Sequence, residues 1–292
     1  MMPQSPKYLV VGGDSLVGRE VFQVLKEQNK PVISTTRRLE TVNSERIYLD
    51  FSVADSYRVP DTIEHAFVIA AATDYTRCEE DPMAVKVNVE FIPMAIQALL
   101  RQGIFVSYIS TNSVFGGEQA WPNEDAPHFP GIAYAQQKSD SEKVLADYAQ
   151  AINAQDGYQV IRLTKILDLT TPPLPNWLES WNKGEVVTPF ADLIFAPMSR
   201  QFVSQSIVQV GETQKSGDFH LSGAENISYV DLAHLIAQKV GVSAELIKAT
   251  TAVEKGVHIA FKPKYSGLGM ARTTRLCNIE PQHISSVIDD IF

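Results

Sequence analysis

The sequence has few cysteines and no excess of positive charge. The two cysteines, Cys78 and Cys277, are far apart and belong to neither a disulfide framework nor a metal-binding pattern. The six histidines are scattered without ligand spacing, so we predict no metal site. A formal net charge of −9 argues against sequence-independent nucleic-acid binding, which needs a basic surface. Together these absences exclude disulfide scaffolds, zinc modules and general nucleic-acid-binding proteins.

Uninterrupted apolar runs are also short. None reaches the roughly 18 residues that a membrane-spanning helix needs, so we predict no transmembrane segment. The first residues, MMPQSPKYLVVGG, lack the basic and apolar regions of a secretory signal, and we therefore expect a cytoplasmic protein. A chain of 292 residues with 45% hydrophobic residues is long enough to bury a sizeable core in one large or two smaller domains.

Short apolar runs alternate with helical patterns through the first part of the chain. Such runs predict buried strands over residues 8–11, 31–36, 46–49, 66–72, 104–110 and 158–163. Amphipathic patterns between them predict helices, and Pro93 predicts a kink or break in the helix over 82–100. This alternation predicts an α/β fold, a Rossmann-like doubly wound parallel sheet with helices on both faces.

The pattern changes after residue 168. A proline-rich stretch, 170–175, precedes shorter and mixed elements, with helices predicted over 176–182 and 204–210. Ser228 as N-cap, with Asp231 in the first turn and Gly241 as the stop, predicts a helix over 228–240. We therefore predict a larger region over 1–168 and a smaller mixed α/β region over 169–292, whose chain can return to the sheet.

The first predicted strand leads into a glycine turn, GGDSLVG, and then into a helix. In that context a helix N-terminus can accept a pyrophosphate, so the turn predicts a dinucleotide site. Gly12 and Gly18 match the first and last glycines of the pattern G-x-x-G-x-x-G. Ser15 occupies the position of the middle glycine, where it can cap the helix or donate to a phosphate. A plain strand-to-helix turn is the alternative interpretation.

Two arginines, Arg37 and Arg38, follow the second predicted strand, where the adenosine ribose lies in such a unit. Arginine at this place suits a 2′-phosphate, whereas an acid would bind a 2′-hydroxyl, so the pair favours NADP(H) over NAD(H). A solvated basic pair is the alternative. After the third strand, the carboxylate of Asp50, beside Phe51, can accept from an adenine amino group. Small residues that would let a cofactor approach follow the fourth strand: Ala70, Ala71 and Ala72.

A hydroxyl cluster follows the fifth predicted strand, and a helix carrying Tyr134 and Lys138 comes after a loop rich in glycine and proline. Residues four apart lie on one helix face. A strand-end hydroxyl such as Thr111, a phenol and an ammonium can together protonate a carbonyl oxygen. We expect the ammonium to lower the pKa of the Tyr134 phenol. The alternative is a half-buried tyrosine beside a solvated lysine.

These segments, in this order, resemble an extended short-chain dehydrogenase/reductase, and within that group they are most similar to the dTDP-4-dehydrorhamnose reductase type. The similar segments are GGDSLVG, AAATDYTRCEEDPMAVKVNV with Asn88, STNSVFGG, YAQQK, FADLIFAPMSRQFV and GDFHLSGAENISYVDLAHLIA. The sequence departs from that pattern at Ser15, and at Asn112 and Ser113, where the family has Asp-Tyr. It also lacks the Asp-Glu pair of nucleotide-sugar dehydratases after Thr111.

The resemblance implies an NADPH-dependent reductase of a nucleotide-linked 4-keto sugar. Residues 1–168 would bind the cofactor and residues 169–292 the substrate. The implied catalytic residues are Thr111, Tyr134 and Lys138. The implied cofactor contacts are Gly12, Ser15, Leu16, Val17, Gly18, Arg37, Arg38, Asp50, Phe51, Ala70, Ala71, Ala72, Tyr134 and Lys138. The implied substrate contacts are Thr73, Asn112, Ser113, Arg272 and Arg275.

Two other functions remain open from the sequence. An epimerase on the same fold uses the same tyrosine and lysine but keeps its cofactor through the cycle. A non-catalytic NADP-binding regulatory subunit belongs to another class, and the imperfect glycine turn permits it. The expected partner is a nucleotide-diphosphate sugar, with no nucleic acid and no membrane, and a homodimer is allowed.

Overall fold

The computed structural model describes residues 5–51 and 59–292. A seven-stranded sheet has the order β10-β6-β5-β4-β1-β2-β3. Its strands are β1 (Tyr8–Val11), β2 (Val32–Thr36), β3 (Arg46–Tyr48), β4 (His65–Val68), β5 (Phe105–Thr111), β6 (Tyr158–Leu163) and β10 (Gly217–Leu221). The remaining strands form two small pairs, β7 (Lys165–Leu167) with β9 (Pro197–Ser199) and β8 (Ile194–Phe195) with β11 (Ile227–Ser228).

The central strands of the sheet run parallel. β1 pairs in parallel with β2 on one side and with β4 on the other, and β2–β3 and β4–β5 are also parallel. The order reverses between β1 and β4, and open α/β sheets bind ligands at the carboxyl ends of the strands beside such a reversal. The predicted Rossmann-like doubly wound sheet is confirmed.

The main sheet departs from the predicted strands most at β4 and at β10. β4 ends at Val68 rather than Ala72, because Ile69 and Ala70 turn their amide groups to the carbonyl of Val11. β10 was not predicted as a strand, although the chain was allowed to return to the sheet. Its five residues are too few to show a clear alternation of apolar and polar side chains, yet Phe219 and Leu221 are fully buried.

The helix predicted over 82–100 is divided, as Pro93 indicated. α2 (Tyr75–Glu80) precedes α3 (Pro82–Val85), a π-helical turn (Lys86–Phe91) and α4 (Ile92–Arg101). Proline has no amide hydrogen to donate and crowds the carbonyl four residues earlier, which favours the wider turn before it.

The stretch Pro82–Arg101, with a mean hydropathy of 1.4, is the one described helical stretch apolar enough to cross a membrane by length and composition. Its apolar character has a second explanation, because α4 buries Ile92, Ile96 and Leu99 in the core beneath the sheet. Core helices of soluble proteins pass the same test, so the stretch is weak evidence for a span.

The remaining helices are α1 (Leu16–Glu27), α5 (Ala133–Ala151), α6 (Leu174–Asn182), α7 (Arg200–Glu212), α8 (Tyr229–Val240), α9 (Ala271–Cys277) and α10 (Ile284–Ile291). Among them, the sequence indicated two to within two residues, those over 174–182 and 229–240. Ser228 caps α8 in a reciprocal capping box with Asp231, and Gly241 ends the helix in the left-handed conformation.

The chain divides into two compact units, each built from several segments. The first unit contains residues 1–114, 130–162 and 204–219, with a core of β-strand and α4 residues. The second contains 115–129, 163–203 and 220–292, with a core that includes Trp177, Trp181 and Leu232. The units are interleaved along the chain, and the predicted functional division at residue 168 stays a prediction.

Candidate active site

The glycine turn packs its backbone tightly between β1 and α1. Gly12 has a φ of +97°, and a Cβ there would lie 2.7 Å from the amide nitrogen of Ala70. A Cβ on Gly18 would lie 2.2 Å from the carbonyl oxygen of Gly12. Only glycine fits at either position, so the backbone of the turn packs closely against the start of α1.

Ser15 explains how the turn forms without its middle glycine. Its φ of −75° is accessible to any residue, so no glycine is needed there. The Ser15 hydroxyl accepts from the Gly18 amide at 3.0 Å and donates to the Gly12 carbonyl at 2.9 Å, which makes it the N-cap of α1. The next two predicted contacts, Leu16 and Val17, form the first turn of this helix, and Leu16 is exposed.

The predicted cofactor residues after β3 and β4 differ in exposure. Ala70, Ala71 and Ala72 are half-buried beyond the end of β4, beside the glycine turn. Phe51 is buried in the core of the first unit, so its side chain supports the sheet, while Asp50 is half-buried. The side chains after β4 are small, and their predicted role in letting a cofactor approach stays a prediction.

A cluster that the sequence did not indicate forms around Asp14. Its carboxylate accepts from the Thr36 hydroxyl at 2.9 Å and from the Arg38 guanidinium at 2.8 Å, and it also accepts from Arg46. Burial alone would raise the pKa of Asp14, but these hydrogen bonds and the two positive charges hold that pKa below its usual value. Arg46 reaches this place because β2 and β3 pair in parallel, while Arg37 is exposed.

The predicted catalytic residues converge at the end of β5. Thr111 is the last residue of that strand, and Tyr134 and Lys138 lie in the first two turns of α5. The Thr111 side chain acts to lower the pKa of the Tyr134 phenol. It also lies 3.1 Å from the Ser113 hydroxyl, and it accepts from the Ser113 amide at 3.2 Å. A strand-end hydroxyl and a phenol thus lie on neighbouring elements, and their joint catalytic role stays a prediction.

The expected lowering of the Tyr134 pKa was wrong for the protein in this state. Burial raises the pKa of Tyr134 well above its usual value, Tyr75 and Cys78 add to the rise, and the hydrogen bond with Thr111 only partly offsets it. The physical reason is that removing the phenol from water penalises its charged form. Tyr134 is therefore protonated at neutral pH.

Lys138 is fully buried, and its ammonium is held by β5. Its Nζ donates to the Tyr108 hydroxyl at 2.7 Å and to the Ile109 carbonyl at 2.8 Å, and it lies 4.1 Å from the centroid of the Tyr108 ring. Burial lowers the pKa of Lys138 to about 7, although the negative charge of Glu142 opposes the shift. A buried lysine titrating near neutrality is characteristic of a functional site.

Two buried networks fix α5 against its neighbours. Glu142, one turn after Lys138, accepts from Ser110 and from Arg162, whose nearest nitrogen lies at 2.7 Å, and Arg162 also pairs with Asp218 at 2.6 Å. Charged hydrogen bonds of this kind are short and directional. They tie α5 to β5, β6 and β10, so the helix that carries Tyr134 and Lys138 has a fixed position on the sheet.

The second network starts from the π-helical turn. Asn88, fully buried, bonds to both the amide and the carbonyl of Ala72 at 2.9 Å, and donates to Gln137 of α5 at 2.8 Å. Gln137 in turn donates to the Cys78 carbonyl at 2.7 Å. The side chain of Asn88, in the π-helical turn, therefore links the loop after β4 to α5.

The predicted substrate residues lie in both units. In the first, Thr73 is exposed, Asn112 is half-buried and Ser113 is buried. In the second, the Arg272 guanidinium pairs with Asp125 at 2.6 Å, and the buried Glu124 accepts from the Arg272 amide at 2.7 Å. Arg275 is exposed on α9. Glu124 was not singled out from the sequence, because its partner lies more than a hundred positions further along the chain.

This fold, glycine turn and strand-end cluster define an extended short-chain dehydrogenase/reductase. The family model described as the RmlD substrate binding domain matches residues 6–292, and the chain belongs to that family. It is 23% identical to dTDP-4-dehydrorhamnose reductase of Aggregatibacter actinomycetemcomitans over 98% of each chain. It is also 24% identical to methionine adenosyltransferase 2 subunit beta of Rattus norvegicus, over 93% of this chain and 83% of the relative.

The structural comparison agrees with this assignment. The dTDP-4-dehydrorhamnose reductase of Bacillus anthracis, solved in complex with NADP, superposes with a TM-score of 0.81 at 16% identity. The similarity covers 99% of this chain and 98% of that one. At this identity the superposition shows a shared fold, and the activity has to be argued from the residues of this chain.

Proposed function

We propose that this protein is an NADPH-dependent reductase of a nucleotide-linked 4-keto sugar. The observation that carries the proposal is the position of Lys138, which shares one face of α5 with Tyr134. Its buried ammonium donates to the Ile109 carbonyl of β5, two residues before Thr111. The family supports reductase chemistry on a nucleotide sugar.

The residues of the first unit suit a dinucleotide. The turn at Gly12 and Gly18 excludes side chains from the start of α1, where a pyrophosphate would lie. Arg38 and Arg46 supply positive charge beyond the end of β2, where a 2′-phosphate would lie. NADP(H) is therefore the proposed cofactor, with NAD(H) second, and when bound it would supply a hydride.

The side chains at the end of β5 would manage the proton. Tyr134 is protonated at neutral pH, so it can donate to a carbonyl oxygen as that oxygen gains negative charge. Thr111 would donate a hydrogen bond to the same oxygen and stabilise the developing charge. The Lys138 ammonium would favour the phenolate that remains and contact the nicotinamide ribose.

The proposed substrate contacts include two arginines of the second unit. We propose that Arg272 and Arg275 bind the diphosphate of the sugar nucleotide, because guanidinium groups suit phosphate oxygens. Arg272 is paired with Asp125 in this structure, so the diphosphate would replace the Asp125 carboxylate as the partner of the guanidinium. Arg272→Met and Arg275→Met should raise KM more than they lower kcat, and unchanged KM values in both variants would contradict this assignment.

A second candidate is a nucleotide-binding subunit of another enzyme. The observation that favours it is the similarity to methionine adenosyltransferase 2 subunit beta across 93% of this chain. An epimerase remains the alternative within the same reaction class, since it would use the same tyrosine and lysine.

One experiment separates these functions. Purified protein is incubated with NADPH and a panel of nucleotide-linked 4-keto sugars, while absorbance follows NADPH oxidation and chromatography follows the products. A reductase consumes one NADPH for each sugar converted, whereas an epimerase changes the sugar without net consumption. Firm NADPH binding with no product from any sugar would favour the subunit function.

A further inference from the structure

Asp14 places a negative charge among the cations that suit a 2′-phosphate. Its carboxylate bonds to Arg38 at 2.8 Å, to Arg46, and to the Thr36 hydroxyl at 2.9 Å. Thr36 is itself fixed, since it accepts from the Arg38 amide at 3.1 Å. The carboxylate thus already holds two guanidinium groups in place at the carboxyl end of β2.

This arrangement has a direct electrostatic consequence. A 2′-phosphate needs those guanidinium groups as partners, and a carboxylate that keeps them would repel it. A 2′-hydroxyl has the opposite requirement, because it can donate to a carboxylate. The side chain of Asp14 is 29% exposed and that of Arg46 is 25% exposed, so solvent screens their interaction only in part.

We propose that Asp14 sets the cofactor selectivity of the protein, by competing with the 2′-phosphate for Arg38 and Arg46 and so reducing the preference for NADP(H) over NAD(H). The inference rests on the proposed dinucleotide function. It assigns to Asp14 a role that neither the glycine spacing nor the arginine pair indicates, since the carboxylate acts on the cofactor through the arginines it holds.

The test compares NADP⁺ and NAD⁺ affinities by calorimetry in the wild type and in Asp14→Asn. Asparagine keeps the size of the side chain and its hydrogen-bonding oxygen but removes the charge. We expect the ratio of the NAD⁺ to the NADP⁺ dissociation constant to rise about tenfold, which corresponds to about 1.4 kcal/mol. Glu64→Gln is the matched control, because Glu64 pairs with Lys7 near the opposite end of the sheet, and its loss should leave the ratio unchanged.

A double-mutant cycle keeps the test independent of any change in folding. If the ion pair with Asp14 makes Arg46 less available to the 2′-phosphate, then Arg46→Met should weaken NADP⁺ binding more in the Asp14→Asn background than in the wild type. An unchanged or smaller ratio in Asp14→Asn, with both dinucleotides still bound, would overturn this inference alone. Failure of every variant and of the wild type to bind either dinucleotide would overturn the proposed function as well.

Discussion

The ammonium of Lys138 lies against Tyr108, with Nζ 2.7 Å from the tyrosine hydroxyl and 4.1 Å from the centre of its ring. This contact explains how a lysine can be fully buried on α5, since the hydroxyl and the Ile109 carbonyl replace water as hydrogen-bond acceptors. It also places the lysine ammonium beside the last residues of β5.

Cofactor affinity should depend on pH through Lys138. The pKa of about 7 means that the ammonium loses its proton as pH rises through neutrality, whereas a bound cofactor that contacts the ammonium would keep it charged. NADPH affinity should therefore fall between pH 7 and 9, by up to about tenfold per pH unit. Calorimetry on Lys138→Met should show weaker binding and a flat profile. A parallel decline in the variant would mean that another group causes it.

The buried pair of Glu142 and Arg162 should be important for folding. Both side chains are at most 6% exposed, so Arg162→Met would leave a carboxylate buried without its main partner. Breaking such a pair typically costs about 3–5 kcal/mol, which urea unfolding would detect. Lys183→Met removes an exposed pair with Glu179 and should have no measurable effect. Equal effects of the two substitutions would contradict the role assigned to the buried pair.

Acid should destabilise the protein through His65. Burial lowers the pKa of His65 to about 3, so the folded chain binds fewer protons than the unfolded chain between pH 3 and 6.5. Stability from this group therefore falls as pH decreases below 6.5 and is constant above it. The loss should be about 2 kcal/mol between pH 6.5 and 5.

The measurement is urea unfolding of the wild type and of His65→Gln at pH 7.5 and 5.0. The variant should be less stable at pH 7.5 but lose less on acidification, because it carries no group to protonate. His234→Gln is the control, since His234 is exposed on α8. Identical acid sensitivity of the wild type and His65→Gln would show that other groups dominate.

The fold could be predicted from the sequence where the pattern of apolar residues within one element was regular. The strands around Val10 and Val106 are buried on both faces, so each contains a short apolar run. The cap of α8 was also visible, because Ser228, Asp231 and Gly241 act within their own helix. The edge strand β10 was missed since its stability comes from pairing with a distant strand.

The candidate site was predictable in its residues and less so in their partners. Tyr134 and Lys138 share a helix face by spacing alone, and Thr111 ends the adjacent strand. The partners of Lys138 and the raised pKa of Tyr134 depend on burial and on side chains from other elements, which spacing does not show. The contact between Asp14 and Arg46 likewise depends on how β2 and β3 pair.

Variants of Thr111, Tyr134 and Lys138 distinguish a defect in proton transfer from a general loss of folding. Lys138→Met should impair both turnover and NADPH binding, because the ammonium serves the tyrosine and the ribose. Thr111→Val should cost less than Tyr134→Phe, since it removes a polarising hydrogen bond and no proton. A uniform loss of NADPH binding in all three variants would indicate a folding defect and contradict these assigned roles.

The most direct test of the account is the turnover of Tyr134→Phe with a nucleotide-linked 4-keto sugar that the wild type reduces, measured as NADPH oxidation at saturating substrate. The substitution removes the proton donor and keeps the ring beside Tyr75, whose centroid is 5.5 Å away. General acid groups typically contribute about 10²–10⁴-fold, so turnover should fall by that factor while NADPH binds as in the wild type. Near wild-type turnover in Tyr134→Phe would contradict the central claim.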